Sequence, residues 1–192
     1  RHAADAVGTN KLKPENSVVD ALVLMFNYVF YREEWPERWG SGIIFPLYKQ
    51  DGRLEPGNYR PITLLSVIGK LFGSVVEARL SDWSEATGAI SDEQGGFRRE
   101  RGTPDQIFLL REIITSRKER NLPTLVTYID ARKAYDTVWR EGNYVRLFDM
   151  GLQGKMWRQI QAMGARMRSK VRLGVGETEW HEVKRGVAQG AV

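Results

Sequence analysis

Apolar residues recur at helical spacing in several stretches of the chain, and each stretch predicts an amphipathic helix. The first runs from Ser17 to Arg32, and Trp35-Pro36 ends it because the residue before a proline avoids helical geometry. The second covers about 66–86, and its spacing predicts a buried face. That face consists of Val67, Leu71, Val75 and Trp83.

The clearest helix start is Thr103-Pro104-Asp105-Gln106. Threonine is the predicted cap, proline the first helical residue, and Gln106 the partner that completes a capping box. This helix is predicted to end near Arg120. Two shorter helices are predicted over 141–150 and 154–166, with Gly151 closing the first.

The stretches that favour β structure are short. Residues 42–48 predict a strand, and Pro46 within it predicts a sheet edge, because proline cannot donate to a ladder. Residues 122–129 predict a buried strand that carries Asp130 at its C-terminal end. A hairpin is predicted from 170–175 and 179–184, turning at Gly176-Glu177. Helices followed by a short meander indicate an α+β fold.

Composition adds one constraint on partners. The 192 residues include 29 Lys and Arg against 24 Asp and Glu, which gives a net charge of +5. A basic balance favours an anionic partner, because cations on one face displace counterions from phosphates. It does not require one, since many basic domains bind no nucleic acid. Cysteine is absent from the sequence, which excludes disulfides and thiolate metal sites.

Asp130 is the residue with the most specific chemistry. A carboxylate at the end of a buried strand can hold a divalent metal ion, with a neighbouring backbone carbonyl as a second oxygen ligand. On spacing alone the simpler interpretation is structural: Asp130 caps a turn and Asp136 is solvated. Basic residues also cluster over 98–101 and 166–172, where either phosphate contacts or a solvated helix end would account for them.

Four segments carry the strongest pattern. They are NYRPITLLSVIGKLF (58–72, preceded by WGSGIIFPLYKQDG), QGGFRRERGTPDQI (94–107), IDARKAYDTV (129–138) and RGVAQGA (185–191). In this order they resemble two fingers motifs, motif A and the motif B loop of reverse transcriptases from non-LTR, LINE-type retrotransposons. The resemblance covers residues 35–192. It implies a right-hand polymerase fold, with a helical fingers-like region over 1–122 and a partial palm with a small antiparallel sheet over 123–192.

The resemblance also implies a nucleotide site, residue by residue. Asp130 matches the metal-binding aspartate of motif A, and the carbonyl of Ala131 matches the backbone ligand beside it. Tyr135 matches the aromatic residue that excludes the 2′-hydroxyl of a ribonucleotide, although ordinary core packing is an alternative. Lys49 and Arg60 match the cations that grip the incoming triphosphate, a task suited to the arginine fork.

Two further sets of contacts follow from the same resemblance. Gln189 matches the motif B glutamine near the nucleotide and template. Arg98, Arg99 and Arg101 fall in the motif that resembles a template-contacting loop. Ala188 and Ala191 depart from the residues usual in motif B. The implied partners are dNTPs, an RNA template and an RNA/DNA duplex, with two Mg²⁺ ions in a complete enzyme.

The paired-aspartate motif of the family, motif C, follows motif B and is not among these 192 residues. One aspartate and one carbonyl cannot give two Mg²⁺ ions near-octahedral oxygen coordination. We therefore expect this chain alone not to polymerise, and we expect it to be part of a longer protein. The missing elements would come from the rest of that protein, a second chain or a ribonucleoprotein.

Two alternatives to a polymerase part stay open. One is a catalytically inactive, repurposed element that binds RNA as a scaffold in a ribonucleoprotein. The other is a basic α+β protein whose likeness is inherited without a present role. The first of these and the polymerase both imply an intracellular location, in a nuclear or cytoplasmic ribonucleoprotein, and no membrane partner.

Overall fold

A computed structural model of the chain describes residues 17–131 and 133–188. Within these residues the chain forms six α-helices and five strands, which confirms an α+β fold. The helices are α1 (Ser17–Arg32), α2 (Val67–Thr87), α3 (Thr103–Glu119), α4 (Ala134–Thr137), α5 (Arg140–Asp149) and α6 (Gly154–Ala165). Short 3-10 turns cover Glu37–Trp39 and Pro56–Asn58. None of the described helices is long and apolar enough to cross a lipid bilayer.

The strands form one mixed sheet. They are β1 (Ser41–Tyr48), β2 (Tyr59–Leu64), β3 (Arg168–Leu173), β4 (Gly176–Glu177) and β5 (His181–Glu182). Their order is β2-β1-β3-β4, and β5 also pairs with β3. The expected all-antiparallel sheet is wrong, because β1 and β3 pair in parallel. A parallel pair needs a long crossover connection, and the chain between β1 and β3 supplies one.

The prediction that Pro46 marks an edge strand is also wrong, since β1 lies between β2 and β3. Pro46 pairs with Pro61 of β2. Lys49 N–H donates to Asn58 O at 2.9 Å, and hydrogen-bonded pairs alternate along an antiparallel ladder. The proline pair, three steps away, therefore falls where neither residue needs an N–H toward its partner. On its other side β1 meets β3 only over 41–44, so Pro46 interrupts no bond there.

The chain divides into two compact units. The first comprises described residues 17–76 and 133–188, and the second comprises 77–131. The division falls within α2. The first unit contains the sheet, α1, α4, α5, α6 and the start of α2, while the second contains the rest of α2, the following loop and α3.

Phe72 occupies the centre of the core in the first unit, and its side chain is only 2% exposed. Its ring centroid lies 5.3 Å from that of Phe26, 5.7 Å from that of Trp39 and 5.9 Å from that of Trp35. These edge and tilted contacts are the geometry that aromatic quadrupoles favour. Helix α1 forms as predicted and contributes Val29 to the same cluster.

The predicted buried face of α2 is wrong, although the helix itself is confirmed. Val67 is 79% exposed and Leu71 44%, whereas Phe72 and Val76 are buried. One residue turns a helix by about 100°, so a register error of one position selects a different face. The packing of Trp39 determines which face of α2 is buried. A Cβ at Gly69 would lie 2.9 Å from the Trp39 Cβ, so only glycine at this position leaves room for the Trp39 side chain. Val75 is 37% exposed and Trp83 is half-buried.

In the second unit, the N-cap of α3 lies one residue earlier than predicted. Gly102 is the N-cap, Thr103 and Pro104 are helical, and the Asp105 carboxylate accepts the Gly102 N–H at 2.7 Å. The capping partner is therefore Asp105 rather than Gln106. Pro104 at the second helical position has no N–H to leave unsatisfied.

The strand predicted over 122–129 does not form. This stretch has no assigned strand, and its residues are exposed, including Leu125 at 93% and Ile129 at 95%. Apolar β-prone residues make a strand only when a neighbouring strand pairs with them. The described residues provide no such strand for this segment.

The closing hairpin is shifted from its predicted register. Leu173 pairs with Gly176 and Arg172 with Glu177, which places the turn at Gly174-Val175 rather than at Gly176-Glu177. The shift brings Glu177 opposite Arg172, so opposite charges face each other across the ladder. The predicted α5 and α6 are confirmed within one residue at each end.

Candidate nucleotide site and nucleic-acid interface

Backbone hydrogen bonds join the segment that resembles motif A to the one that resembles motif B. Gly186 N–H donates to Val138 O at 3.0 Å, and Val187 N–H donates to Tyr135 O at 2.8 Å. Gly186 has a φ of +79°, and a Cβ there would lie 2.7 Å from Tyr135 O and 2.9 Å from Asp136 O. Only glycine combines this backbone conformation with this closeness. Two segments distant in sequence thus meet at one junction.

The Tyr135 side chain lies at the surface of this junction and is partly exposed to solvent. It lies in the single turn α4, which follows Lys133 in a left-handed conformation with a φ of 53°. Its side chain is 42% exposed, so core packing does not account for it. Beside the junction is a small cleft of about 140 Å³ whose lining includes Asp136, Gly186, Pro61 and Thr63. Gln189 lies outside the described residues.

Lys49 and Arg60 lie on one face of the β1–β2 hairpin. Arg60 pairs with Leu47, and residues opposite each other in an antiparallel ladder share a face. Lys49 follows Leu47 by two positions, which returns its side chain to that face. Both cations are exposed. Pro61 and Thr63, which line the cleft beside Tyr135, belong to the opposite face, so the sheet separates the two predicted sets of nucleotide contacts.

Asp130 and Ala131 belong to the second unit, and both are exposed at the end of the unpaired stretch 122–131. Among the residues that the structure describes, no group of three or more His, Asp or Glu side chains could hold a metal ion. A single carboxylate does not fill the coordination shell that Mg²⁺ requires. The described residues therefore do not by themselves fit the implied two-ion site.

The three arginines predicted to contact a template are all ion-paired within the second unit. Arg98 makes a two-pronged contact with Glu85 at 2.8 and 2.6 Å and also lies 3.7 Å from Asp92. Arg99 pairs with Asp82 at 2.8 Å, and Arg101 pairs with Asp92 at 3.1 Å. Through its hydrogen bonds to Glu85, Arg98 holds the pKa of that carboxyl below its ordinary value.

The three differ in how far they can reach outward. The Arg98 side chain is 6% exposed, the Arg101 side chain 33% and the Arg99 side chain 54%. Arg98 also donates to the carbonyls of Ser91 and Gln94, so its donors are occupied by the loop that carries it. The geometry fastens this loop to α2 and leaves Arg99 the most accessible of the three cations.

Positive charge is concentrated in the first unit. Its described residues include 17 Lys and Arg against 12 Asp and Glu, whereas those of the second include 8 against 10. A surface that gains by releasing phosphate counterions needs an excess of cations. The first unit therefore supplies the more favourable surface for an anionic ligand.

Residues 47–192 match the family described as reverse transcriptase (RNA-dependent DNA polymerase). This chain belongs to the reverse transcriptase family. The match covers most of the chain and includes all four segments that resemble the family's motifs, 58–72, 94–107, 129–138 and 185–191, together with Lys49 and Arg60.

The relatives of this family member come from non-LTR retrotransposons, which confirms the LINE-type assignment. It is 29% identical over 185 residues to the "Probable RNA-directed DNA polymerase from transposon X-element" of Drosophila melanogaster, with 96% of this chain and 20% of the relative aligned. It is 30% identical to the RNA-directed DNA polymerase from the mobile element jockey of the same species, over 70% of this chain and 15% of the relative.

A third relative extends the comparison to another insect. The Pol polyprotein from the type-1 retrotransposable element R2 of Popillia japonica is 33% identical over 146 residues, which is 75% of this chain and 20% of that protein. The chain therefore spans about a fifth or less of the length of these relatives.

Sequence reasoning missed one buried residue that lies close in sequence to the junction between Tyr135 and Gly186. Arg140 is buried, and it donates to the Met167 sulfur at 3.0 Å and to the Val183 carbonyl. It thereby ties the start of α5 to the strand end that leads into motif B. A cation at a helix N-terminus opposes the helix dipole, and this unfavourable placement is the signal that could have identified it.

Proposed function

We propose that this chain supplies the triphosphate-gripping cations, the sugar-selecting tyrosine and the first metal-binding aspartate of an RNA-directed DNA polymerase of a non-LTR retrotransposon. The hydrogen-bonded junction between Tyr135 and the Gly186–Val187 backbone is the observation that carries the proposal. A pocket that selects a sugar must hold its walls at fixed separations, and this junction fixes two of the family's motifs against each other.

Each proposed residue has one task. Lys49 and Arg60 bind the triphosphate from a shared face of the hairpin, Arg60 through its fork of N–H donors. A nucleotide that also reaches the cleft beside Tyr135 has to pass around the outer strand β2. The exposed Tyr135 ring closes the sugar pocket, where an added 2′-hydroxyl has no room. Gln189 contacts the nucleotide and template strand. Arg99 and Arg101 contact the template, while Arg98 positions the loop that carries them.

Asp130 and the carbonyl of Ala131 are the proposed metal ligands within this chain. Metal ions bound there in the whole polymerase would supply positive charge for the attacking 3′-hydroxyl and the leaving pyrophosphate. The other carboxylates would come from motif C, which the whole polymerase would contribute. The proposed substrates are dNTPs on an RNA template, with an RNA/DNA duplex as product and a ribonucleoprotein as the working assembly.

Primer extension with the whole polymerase that contains this chain tests the proposal. Asp130→Asn keeps the shape of the side chain and removes its charge, so we expect extension on an RNA template to fall to background. Asp149→Asn, at the exposed end of α5, is the matched control and should leave extension unchanged. Unchanged extension by Asp130→Asn would refute the catalytic role. RNA binding that survives with no extension in the unmodified protein would favour the scaffold hypothesis instead.

A further inference from the structure

Strand β3 presents a row of cations that the nucleotide site does not use. Arg168, Lys170 and Arg172 alternate along the strand, so their side chains share one face of the sheet. Lys170 is in register with Ile43 of β1, which places the row on the face that carries Phe45 and, across β1, Arg60. The row therefore lies on the same face as the proposed triphosphate cations.

Aromatic rings are interleaved with these cations. The Arg172 guanidinium lies 5.4 Å from the centroid of the Phe45 ring. The Arg168 guanidinium and the Lys170 ammonium lie 4.8 and 5.0 Å from the centroid of Trp180, which is itself 41% exposed. We call Arg168, Lys170 and Arg172, together with Phe45 and Trp180, the β3 stripe. Cation–π contacts hold its charged groups close to its rings.

Acidic neighbours equal the cations of the β3 stripe in number, but they are distributed unevenly along it. Lys170 and Arg172 both pair with a single carboxylate, Glu177, which leaves one positive charge in excess at that pair. Arg168 pairs with Glu37 at 2.6 Å and lies opposite Glu182. The side chains of Arg168 and Arg172 remain 39% and 44% exposed. An anion with several charges can therefore reach the stripe and compete with Glu177 for two cations at once.

We infer that the β3 stripe binds a single strand of nucleic acid and extends the surface that begins at Lys49 and Arg60. Successive cations are two residues apart on a strand, or about 6.6 Å, a separation comparable with that of neighbouring phosphates on an extended strand. An exposed indole among cations is the pairing that sequence-tolerant single-strand binding uses. A folded acidic protein partner would use the charges but would not need the ring.

This inference rests on the proposed function, because the strand would be the unpaired template next to the nucleotide site. When the strand binds, its phosphates replace the Glu177 carboxylate at Lys170 and Arg172, and a base stacks on Trp180. Glu177 thus weakens binding as long as it stays charged. Removing the Glu177 charge should therefore increase the affinity for the strand, whereas a misfolded variant would bind more weakly.

The test is a titration of the 192-residue chain with a fluorescein-labelled single-stranded RNA of about 20 nucleotides, followed by anisotropy between about 50 and 200 mM salt. Glu177→Gln should tighten binding by about two- to fivefold, the range of an exposed ion pair. Arg172→Gln should weaken binding and lower the salt slope by about 0.7, one single-strand phosphate contact. Trp180→Ala should weaken binding by about fivefold or more at every salt concentration.

The control for Arg172→Gln is Arg146→Gln, which removes one positive charge from an exposed arginine on α5 in the same unit. Its affinity for the RNA should stay near that of the unmodified chain. Weaker or unchanged binding in Glu177→Gln would overturn the inference. So would equal loss in Arg146→Gln and Arg172→Gln, or a double-stranded RNA that competes as well as the single strand. Failure of the proposed function would show separately, as unchanged primer extension in Asp130→Asn.

Discussion

Replacing Phe72 by alanine should destabilise the first unit far more than replacing its neighbour Leu71. Phe72 is 2% exposed and is surrounded by Phe26, Trp35 and Trp39, so its removal leaves a cavity whose aromatic walls cannot easily collapse. Leu71 is 44% exposed, so water fills most of the space that its side chain leaves.

The burial of the two residues sets the magnitudes. Truncating a buried phenylalanine to alanine costs about 3–5 kcal/mol, which combines the lost transfer free energy with the cavity. A fully buried leucine gains about 1.5–3 kcal/mol from burial, and Leu71 realises roughly half of that, so its loss costs about 1 kcal/mol. For a chain of this size, the melting temperature would fall by roughly 6–20 °C in the first variant and by roughly 2–4 °C in the second.

Near-ultraviolet circular dichroism gives a local reading of this unit, because the rings of Trp35 and Trp39 lie 5.2 Å apart, edge to face. Thermal and urea unfolding would be followed by this signal in both variants and in the unmodified chain. Equal destabilisation by the two substitutions, or a larger effect from Leu71→Ala, would mean that α2 buries the other face and that the core described here is wrong.

Three other predictions follow from the site and its supports. Glu85 has a lowered pKa because Arg98 binds its charged form. The loop over 91–101 should therefore keep its full stability above about pH 4.5 and lose protection from proteolysis as the pH falls through the pKa of folded Glu85. Glu85→Gln should remove this pH dependence. In a urea titration, Gly186→Ala should lower the free energy of unfolding by about 2–4 kcal/mol, because alanine disfavours the left-handed backbone and its Cβ would clash with Tyr135 O. Gly174→Ala should have little effect in the same titration, because the space around its Cβ is open. Tyr135→Ala in the whole polymerase should increase ribonucleotide incorporation relative to dNTPs, and unchanged selectivity would remove Tyr135 from its proposed role.

The helices were predictable because their signals are local. Helix α1 matches its predicted bounds, α5 differs by one residue at each end, and α6 differs by one residue at its C-terminal end. Spacing of apolar residues and turn residues determine such elements with little help from the rest of the molecule. The start of α3 was misplaced by one residue because both Gly102 and Thr103 are acceptable caps, and the Asp105 carboxylate decides between them.

The structural features that could not be predicted depend on contacts between residues far apart in sequence. The buried face of α2 depends on where Trp39 packs, and the central position of β1 depends on β3, which lies far along the chain. The stretch 122–129 has the composition of a strand without a neighbouring strand to complete it. In the candidate site, residue types indicated Tyr135, but only the fold showed that its backbone meets the segment that contains Gly186 and Val187.

The pairing of Pro46 with Pro61 has a consequence for how the molecule behaves among copies of itself. Strand β2 is the outer strand of the sheet, and the backbone nitrogen of Pro61 is directed away from β1. A strand from a second molecule that tried to extend the sheet there would meet a nitrogen with no hydrogen to offer. Proline at that position is one of the devices by which exposed strands avoid edge-to-edge aggregation.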